Sequence, residues 1–219
     1  MSKILCELRI CTNIENTNLF KSGALEKNNK RIQQYVDGIK TFLQFNKKYI
    51  DDKKIDVYVT DNTISLDNKL HQSLLDIIPE NVNIVTCLNN NYGCLNKGSG
   101  DIEQWKYCSN LIKEYDYFIH FEPRQLLKSN QFIESFLENP RNLFTINTHT
   151  PVFNTGLFCI EVKYLLEYIC NVDLNSMVSK RISIETDLYN FFINNNLKFY
   201  TLERMDLLWF ANDKITYHW

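Results

Sequence analysis

Short apolar runs alternate with amphipathic segments along the first two thirds of the chain. Lys3–Thr12, Ile55–Thr60 and Val82–Leu88 have the composition of buried β-strands. Between the first two runs, apolar residues recur at helical spacing, which predicts a long helix over roughly Leu25–Tyr49. The pattern then predicts helices at Leu70–Ile78, Asp101–Tyr115 (with Asp101 as its N-cap) and Gln125–Leu137, and strands at Asp116–Glu122 and Asn142–Asn147.

This alternation predicts an α/β fold in which a mostly parallel, twisted sheet carries helices on both faces. In such sheets, ligands bind beyond the carboxyl ends of the strands. Functional residues are therefore expected in the segments around the strand ends, which are Arg9–Asn13, Thr60–Asn62, Asn89–Gly100 and His120–Arg124.

The last third of the chain has a different order of elements. The pattern predicts a strand at Val152–Val162, helices at Tyr164–Cys170 and Ile184–Asn194, and a short strand at Phe199–Leu202. An aromatic tail ends at Trp219. We expect this part to pack on the same sheet and to close the site from the other side.

Length and composition favour one domain. The 219 residues are 44% apolar, and neither a Pro-, Gly- or Ser-rich linker nor an internal repeat interrupts them. We expect residues 1–219 to form a single domain, with a nucleotide-binding half over 1–147 and a donor-sugar and acceptor half over 148–219.

Charge and hydropathy exclude several classes of protein. A net charge of -2 and a pI near 6.1 count against nucleic-acid binding. Lys27–Arg31 and Lys47–Lys54 are interpreted as solvated helix faces. Seven cysteines without C-x-x-C spacing favour buried thiols in a reducing compartment. Because neither a signal peptide nor a transmembrane stretch is recognisable, we expect a cytoplasmic protein.

The loop Asn89–Gly100 is the first candidate for ligand binding. It carries three of the six glycines, Gly93, Gly98 and Gly100, and leads into a predicted helix. Glycines allow close backbone approach, a helix N-terminus favours an anion, and Lys97 adds a charge suited to phosphate. The alternative is an ordinary polar loop.

A second candidate lies at the end of the strand Asp116–Glu122. His120 and Glu122 are two residues apart and share one face, where they could ligate a divalent cation or contact a substrate. Arg124 is suited to pair with phosphate. The alternative is a buried, hydrogen-bonded histidine beside a Glu–Arg ion pair.

Three further segments carry candidate residues. Asn154-Thr-Gly156 would expose backbone to a ligand, or would form a bulge in a buried strand. Glu185 and Asp187 in the first turn of a helix suit a general base, or are ordinary partners of the helix dipole. His218 lies between two aromatic residues, so the tail is expected to be anchored and the imidazole to reach the cleft.

In this order, the motifs resemble the GT-A nucleotide-diphospho-sugar glycosyltransferases, including small viral members without a separate acceptor domain. Asn96-Lys97-Gly98 and Gly100 resemble the loop before the donor-binding helix of that family. His120-Phe-Glu122 stands where the family has D-x-D, with the spacing kept and both aspartates lost. Phe153–Phe158 resembles the F-N-x-G segment of glycogenin-like members, which lines the donor-sugar pocket.

The resemblance implies a transferase that moves a sugar from a UDP-sugar, such as a UDP-hexose, to a hydroxyl of a glycan or protein acceptor. For a viral protein it implies the host cytoplasm or the virion. It places Arg9, Thr12 and Asn13 near the base, Asp61 near the base or ribose, and Asn154 and Gly156 at the sugar. Glu185 or Asp187 would be the base of an inverting enzyme, whereas Glu185 would orient the sugar in a retaining one.

The resemblance leaves two arrangements for the diphosphate. Mn²⁺ or Mg²⁺ would be held by Glu122, His120 and His218, the last matching a C-terminal metal ligand of several branches. Alternatively, Lys97 and Arg124 would neutralise the diphosphate without a metal.

Two other functions are compatible with the pattern. A nucleotidyltransferase can share this order of elements, but it needs a Gly-rich loop directly after the first strand, and Cys11–Gly23 contains one glycine. A non-catalytic module that binds nucleotide sugars or glycans is the other alternative.

Overall fold

The structure is a computed structural model that describes residues 2–13, 24–147, 150–204, 206–211 and 214–218. The strands are β1 Ile4–Ile10, β2 Asp56–Asp61, β3 Asn83–Thr86, β4 Tyr117–Phe121, β5 Gln125–Leu127, β6 Leu143–Phe144, β7 Leu157–Glu161, β8 Tyr200–Thr201, β9 Leu207–Ala211 and β10 Lys214–His218. The helices are α1 Ala24–Asp51, α2 Gln72–Leu75, α3 Lys97–Tyr107, α4 Ser109–Ile112, α5 Gln131–Glu138, α6 Val162–Asn171, α7 Leu174–Ser179 and α8 Ile184–Asn194.

Seven strands form the central sheet in the order β3-β2-β1-β4-β7-β6-β8. The strands β1 to β4 are mutually parallel, whereas β7 runs antiparallel to both β4 and β6. A small second sheet joins β5 to β9 and β10. The predicted α/β class with a mostly parallel sheet is confirmed.

Two hydrophobic cores cover the two faces of the sheet. The alternation in β1 shows the division, because Cys6 and Leu8 enter one core and Leu5 enters the other. The first core packs against α1, where Phe42 stacks on Phe121 of β4. The second core packs against α3, α6 and α8, with the buried Trp105 at its centre. Helices on both faces were expected from the sequence, and they bury both sides of the central strands.

Several boundaries differ from the sequence prediction; the predicted helix Asp101–Tyr115 is divided into α3 and α4, and the predicted strand Val152–Val162 is shortened to β7. The predicted helix Gln125–Leu137 begins as strand β5, which pairs with β9, 80 to 84 positions further along the chain, and no local pattern indicates such a contact. Gly38 of α1 lies so close to this segment that a Cβ there would be 1.8 Å from the carbonyl oxygen of Pro123. Helix α3 begins at Lys97 with Asn96 as its N-cap, so the predicted cap Asp101 lies inside the helix. In the described part of the chain, no helix has the length and apolar content needed to cross a membrane.

Candidate functional site

The carboxyl ends of β1, β2 and β4 lie at one edge of the sheet, because these strands are parallel and adjacent. The N-terminus of α3, the segment 154–156 before β7 and the start of α8 meet at the same edge. Two adjoining cavities of about 240 Å³ and 460 Å³ share four lining residues, Lys97, Glu122, Thr155 and Glu185. We call these two cavities together the cleft.

Asp61 ties the ends of β1 and β2 together. One of its oxygens accepts hydrogen bonds from the backbone N–H and the hydroxyl of Thr12, at 2.9 and 2.5 Å. The other accepts from the N–H and hydroxyl of Thr63, at 2.8 and 2.5 Å. The hydroxyl of Thr63 accepts in turn from the N–H of Asn13. This carboxylate is buried and fully engaged, so it shapes the loop instead of presenting its oxygens to a base or ribose.

Arg9 is also engaged inside the protein. It is 5% exposed, its Nε lies 3.3 Å from the carboxylate of Asp101, and its Nη2 donates to Asn62 Oδ1 at 2.6 Å. Asn62 donates onward to the carbonyl oxygen of Gly100. Burial raises the pKa of Asp101, and the nearby charge of Arg9 opposes that rise. Arg9 therefore joins β1 to the start of α3, behind the wall of the cleft.

His120 belongs to a buried network centred on Glu7. Its Nδ1 lies 2.9 Å from Glu7 Oε2, which also accepts from the indole N–H of Trp105 at 2.7 Å. The hydroxyl of Thr60 donates to the other oxygen of Glu7. Burial alone would raise the pKa of Glu7, but the hydrogen bond and charge of His120, with Arg9 and Trp105, lower it. The ionised carboxylate fixes the imidazole with its proton on Nδ1.

The Gly-rich loop is held by a carboxylate that sequence reasoning did not identify. Glu103 of α3 accepts three backbone hydrogen bonds, from Asn91, Tyr92 and Gly93, at 2.9 to 3.0 Å. Successive N–H groups of this kind form an anion-binding concavity, and here the anion is the protein's own carboxylate. The first half of the loop is therefore satisfied internally, and the second half faces the cleft.

The second half of the loop packs α3 against α8. Asn96 accepts from Ser99 N–H and donates to the carbonyl oxygens of Met177 and Ile182, so it links α3 to the segment before α8. A Cβ at Gly98 would lie 2.6 Å from Cβ of Ile184. A Cβ at Gly100 would lie 2.8 Å from Asn90 Oδ1. These three predicted ligand-binding residues make close contacts within the protein.

Lys97, Glu122 and Arg124 form an ion-pair cluster inside the cleft. The Nζ of Lys97 lies 2.8 Å from both carboxylate oxygens of Glu122, and Arg124 reaches Oε1 with Nε and Nη2 at 2.9 Å. Burial alone would raise the pKa of Glu122, but Lys97, Arg124 and Arg31 hold it well below its ordinary range. The ionised Glu122 therefore holds two cationic side chains, those of Lys97 and Arg124, at the carboxyl end of β4.

Arg31 was interpreted from the sequence as part of a solvated helix face. In the structure it is half-buried in α1, and its Nε donates to the carbonyl oxygen of Cys11 at 3.0 Å and to the hydroxyl of Tyr35 at 3.1 Å. The same phenol accepts from the N–H of Cys11. The positive charge of Arg31 is close enough to Glu122 to lower the pKa of that carboxylate. The signal in the sequence is its place on the apolar face of α1, one position before Ile32 and four before Tyr35.

The segment before β7 forms the opposite wall of the smaller cavity. Asn154 Oδ1 accepts from Gly156 N–H at 3.0 Å, and the carbonyl oxygen of Gly156 accepts from Glu122 N–H at 2.9 Å. Glu185, in the first turn of α8, accepts from the hydroxyl of Thr155 at 3.3 Å. The structure thus brings Asn154, Gly156 and Glu185 to the ion-pair cluster. Their roles towards a ligand stay predictions.

The structure separates the predicted acidic pair. Asp187 accepts a hydrogen bond from the hydroxyl of Tyr168 in α6 at 2.9 Å and does not line either cavity. Residues two apart on a helix are about 200° apart around its axis, so Glu185 and Asp187 cannot share one face. Burial raises the pKa of Asp187, and the bond from Tyr168 opposes that rise. Asp187 has a packing role, and Glu185 alone remains as the candidate base.

The predicted cation site has one ligand that is already engaged, because Glu122 lies against two cationic side chains. The bond of His120 Nδ1 to Glu7 does not count against ligation, since it leaves Nε2 available and His120 lines the larger cavity. No group of three or more His, Cys, Asp or Glu side chains among the described residues is arranged to hold a metal ion. His218 lies in β10 opposite Leu208, and its side chain is outside the described part, so its predicted ligation is untested.

Comparison with known proteins gives a fold relationship. Neither a protein-family model nor a curated protein matches the sequence. The structure is similar to the crystal structure of a protein from Desulfovibrio desulfuricans G20 that is provisionally described as a nucleotide-diphospho-sugar transferase. The TM-score is 0.55, the identity is 11%, and the match covers 92% of this chain and 80% of the other. The predicted GT-A-like fold is confirmed, and at this identity the likeness concerns the fold alone.

Proposed function

We propose that the protein transfers a sugar from a nucleoside diphosphate sugar, a UDP-hexose, to an acceptor hydroxyl. The observation that carries the proposal is the ion-pair cluster of Lys97, Glu122 and Arg124, which lies at the carboxyl ends of parallel strands beside the polar wall of Asn154 and Glu185. In open α/β sheets this edge is the usual place for nucleotides. The fold relationship to a protein described as a nucleotide-diphospho-sugar transferase supports the same assignment.

The diphosphate is assigned to the ion-pair cluster. Three cations, Lys97, Arg124 and Arg31, act on one carboxylate, Glu122, which leaves a formal excess of two positive charges. Guanidinium and ammonium groups are suited to phosphate oxygens, and Arg binds them in a bidentate manner. When the glycosidic bond breaks, negative charge grows on the departing diphosphate, and fixed cations stabilise it there. In this proposal a divalent cation is not needed.

The nucleoside is assigned to the ends of β1 and β2. The segment Cys11–Asn13 is held there by Asp61 and Thr63, and Arg31 closes it from the side of α1. We expect Thr12 and Asn13 to contact the base or ribose, partly through their backbone. Arg9 and Asp61 do not contact the nucleoside in this proposal; they hold the ends of β1 and β2 in position through their buried hydrogen bonds.

Glu185 is the carboxylate proposed to act at the reacting centre. It lines both cavities and is half-exposed, so an acceptor hydroxyl can approach it. In an inverting reaction it takes the proton of the acceptor hydroxyl as that oxygen attacks the anomeric carbon. In a retaining reaction it orients the sugar, and the anomeric configuration of the product, read by NMR, distinguishes the two.

The first test is binding and turnover with defined nucleotides. We expect UDP and at least one UDP-hexose to raise the melting temperature, because specific ligands stabilise the native state. Slow release of UDP from the same UDP-hexose would show transferase or hydrolase turnover. Stabilisation by UDP without any release from any donor would instead indicate a binding module, and no stabilisation at all would remove the basis of the proposal.

A chelator experiment tests the two arrangements of the diphosphate. If protein cations neutralise it, UDP affinity in EDTA equals the affinity in Mn²⁺ or Mg²⁺. If the predicted ligation by Glu122, His120 and His218 is correct, binding strengthens with metal, and replacing His218 by Ala removes that gain. The variant Lys97→Ala is the matched comparison, since it weakens binding under both conditions.

A further inference from the structure

The smaller cavity contains one buried amide that the described part of the chain does not use. Gln125, at the start of β5, is 6% exposed and lines this cavity together with Arg124, Asn154 and Glu185. Its backbone N–H donates to the carbonyl oxygen of Glu122, which fixes the residue beside the ion-pair cluster. No described residue forms a hydrogen bond with its side-chain amide. Polar groups that line a cavity without a protein partner are satisfied by water or by a ligand.

Gly156 leaves the space that this amide occupies. A Cβ at position 156 would lie 2.1 Å from Nε2 and 2.7 Å from Oε1 of Gln125. Any other residue at 156 would therefore push the amide out of its present place. The segment 154–156 is itself held by Asn154, whose Oδ1 accepts from Gly156 N–H. The observed position of the Gln125 amide therefore requires glycine at position 156.

The surroundings of the amide select a class of ligand group. An amide presents both a donor and an acceptor, and the adjoining Thr155 hydroxyl and Glu185 carboxylate offer further hydrogen-bonding groups within a cavity of about 240 Å³. Sugar hydroxyls are donors and acceptors in the same way. The cations of the cluster line the same cavity, beside Gln125, and the diphosphate is proposed to bind there. A hexose attached to that diphosphate would therefore lie within reach of the amide.

We propose that Gln125 is a specificity-determining residue that hydrogen-bonds a hydroxyl of the donor hexose, with Gly156 holding open the place of its amide. This assignment rests on the proposed function. It adds a residue that the sequence did not indicate, because Gln125 was predicted to be in a helix and lies in a strand. A site built to hydrogen-bond a substrate hydroxyl discriminates strongly against analogues that lack it or place it elsewhere.

The test compares UDP with UDP-glucose and UDP-galactose by calorimetry. We expect the wild type to bind one hexose epimer more tightly than UDP. Gln125→Leu should reduce that gain about tenfold and leave the affinity for UDP unchanged, since a lost hydrogen bond that strands a buried partner has this magnitude. Gly156→Ala, which displaces the amide without removing it, should have the same effect. Gln33→Leu, on the exposed face of α1, is the matched control and should change neither affinity.

The outcomes separate this assignment from the proposed function. If the wild type binds UDP and UDP-hexoses but both variants keep the wild-type ratio of hexose to UDP affinity, the role of Gln125 is overturned and the transferase proposal stands. If the wild type binds neither UDP nor UDP-hexose, the proposed function fails and the assignment falls with it. Melting temperatures identify a misfolded variant, and Gly156→Ala then provides the deciding comparison, because the three atoms nearest to its methyl group all belong to the Gln125 amide.

Discussion

The ammonium of Lys97 lies 2.8 Å from both carboxylate oxygens of Glu122, a residue 25 positions further along the chain. Lys97 is the first residue of α3 and Glu122 follows the last residue of β4, so the contact joins a helix N-terminus to a strand end. About half of the Lys97 side chain is exposed, whereas Glu122 is largely buried. The lysine can therefore turn from this carboxylate to a bound anion, while the carboxylate stays in place.

Replacing either cation of the cluster should weaken nucleotide binding. We expect Lys97→Ala and Arg124→Ala each to lower the affinity for UDP by about tenfold or more, because a charge-assisted hydrogen bond contributes about 1.5 to 3 kcal/mol. Calorimetry at two salt concentrations measures this, and the difference from wild type should shrink at high salt. Lys47→Ala, in an exposed ion pair on α1, is the control and should leave the affinity unchanged. Wild-type affinity in both cleft variants would contradict the diphosphate assignment.

Removing the carboxylate at position 122 should have opposite effects on folding and on binding. Glu122→Gln should lower the free energy of unfolding by about 1 to 3 kcal/mol, because it removes the ionised partner of Lys97 and Arg124. It should also strengthen UDP binding in EDTA, because an anion no longer competes for those cations. Urea unfolding and calorimetry check the two parts. Weaker UDP binding in EDTA would show that Glu122 assists the ligand directly.

The same residue predicts a pH dependence. The folded-state pKa of Glu122 lies well below its ordinary range, so its ionisation stabilises the native state above the unfolded pKa near about 4.3. That stabilisation is lost as the pH falls from about 4 through the folded pKa. The melting temperature of the wild type should thus fall more steeply below about pH 4 than that of Glu122→Gln. Parallel curves for the two proteins would contradict this assignment.

The two acidic residues of α8 should behave differently when neutralised. Glu185→Gln should reduce turnover at least about 100-fold with little change in melting temperature, since general acid–base groups contribute about 10² to 10⁴ in rate. Asp187→Asn should retain turnover and lose about 1 kcal/mol of stability through its bond with Tyr168. Steady-state rates and urea titrations of the pair provide the comparison. Full activity in Glu185→Gln would exclude it as the base.

The buried network at Glu7 should be required for folding. Glu7→Ala leaves His120, Trp105 and Thr60 without their acceptor, and each buried donor left unsatisfied costs about 1 to 3 kcal/mol, so we expect a total loss of about 3 kcal/mol or more. Urea unfolding measures this, with the exposed Glu80→Ala as the control, which should stay within about 0.5 kcal/mol of wild type. A change below about 1 kcal/mol would mean that water replaces the carboxylate.

Close packing of α3 on α8 gives a further stability prediction. Gly98→Ala places a methyl group 2.6 Å from Cβ of Ile184 and should cost about 1 to 3 kcal/mol by overpacking. Adding Ile184→Gly, which removes the atoms that the new methyl meets, should restore part of that loss relative to Ile184→Gly alone. Urea unfolding of the four proteins yields the coupling energy. If the two changes in the free energy of unfolding are additive, the methyl group at position 98 does not contact Ile184, and the helices move apart at little cost.

Local pattern was sufficient for the strands β1 to β4, for most of the helices and for the edge of the sheet that forms the cleft. Periods of two and of 3.6 residues are set within a few residues of chain, so β1, β2, β4 and α8 were predicted close to their observed bounds. Parallel strands then place their carboxyl ends together, which is why Lys97, Glu122, Asn154 and Glu185 could be predicted to converge. β5 was missed, because its partner β9 lies far along the chain.

What each side chain does at that edge was decided by tertiary contacts. The sequence could not indicate that Glu103 would accept hydrogen bonds from the Gly-rich loop. Nor could it indicate that Asp61 would accept hydrogen bonds from two threonines, or that Asp187 would accept one from Tyr168. A charged residue has the same letter whether it binds a ligand or a neighbour, and only three-dimensional proximity determines which partner compensates its charge.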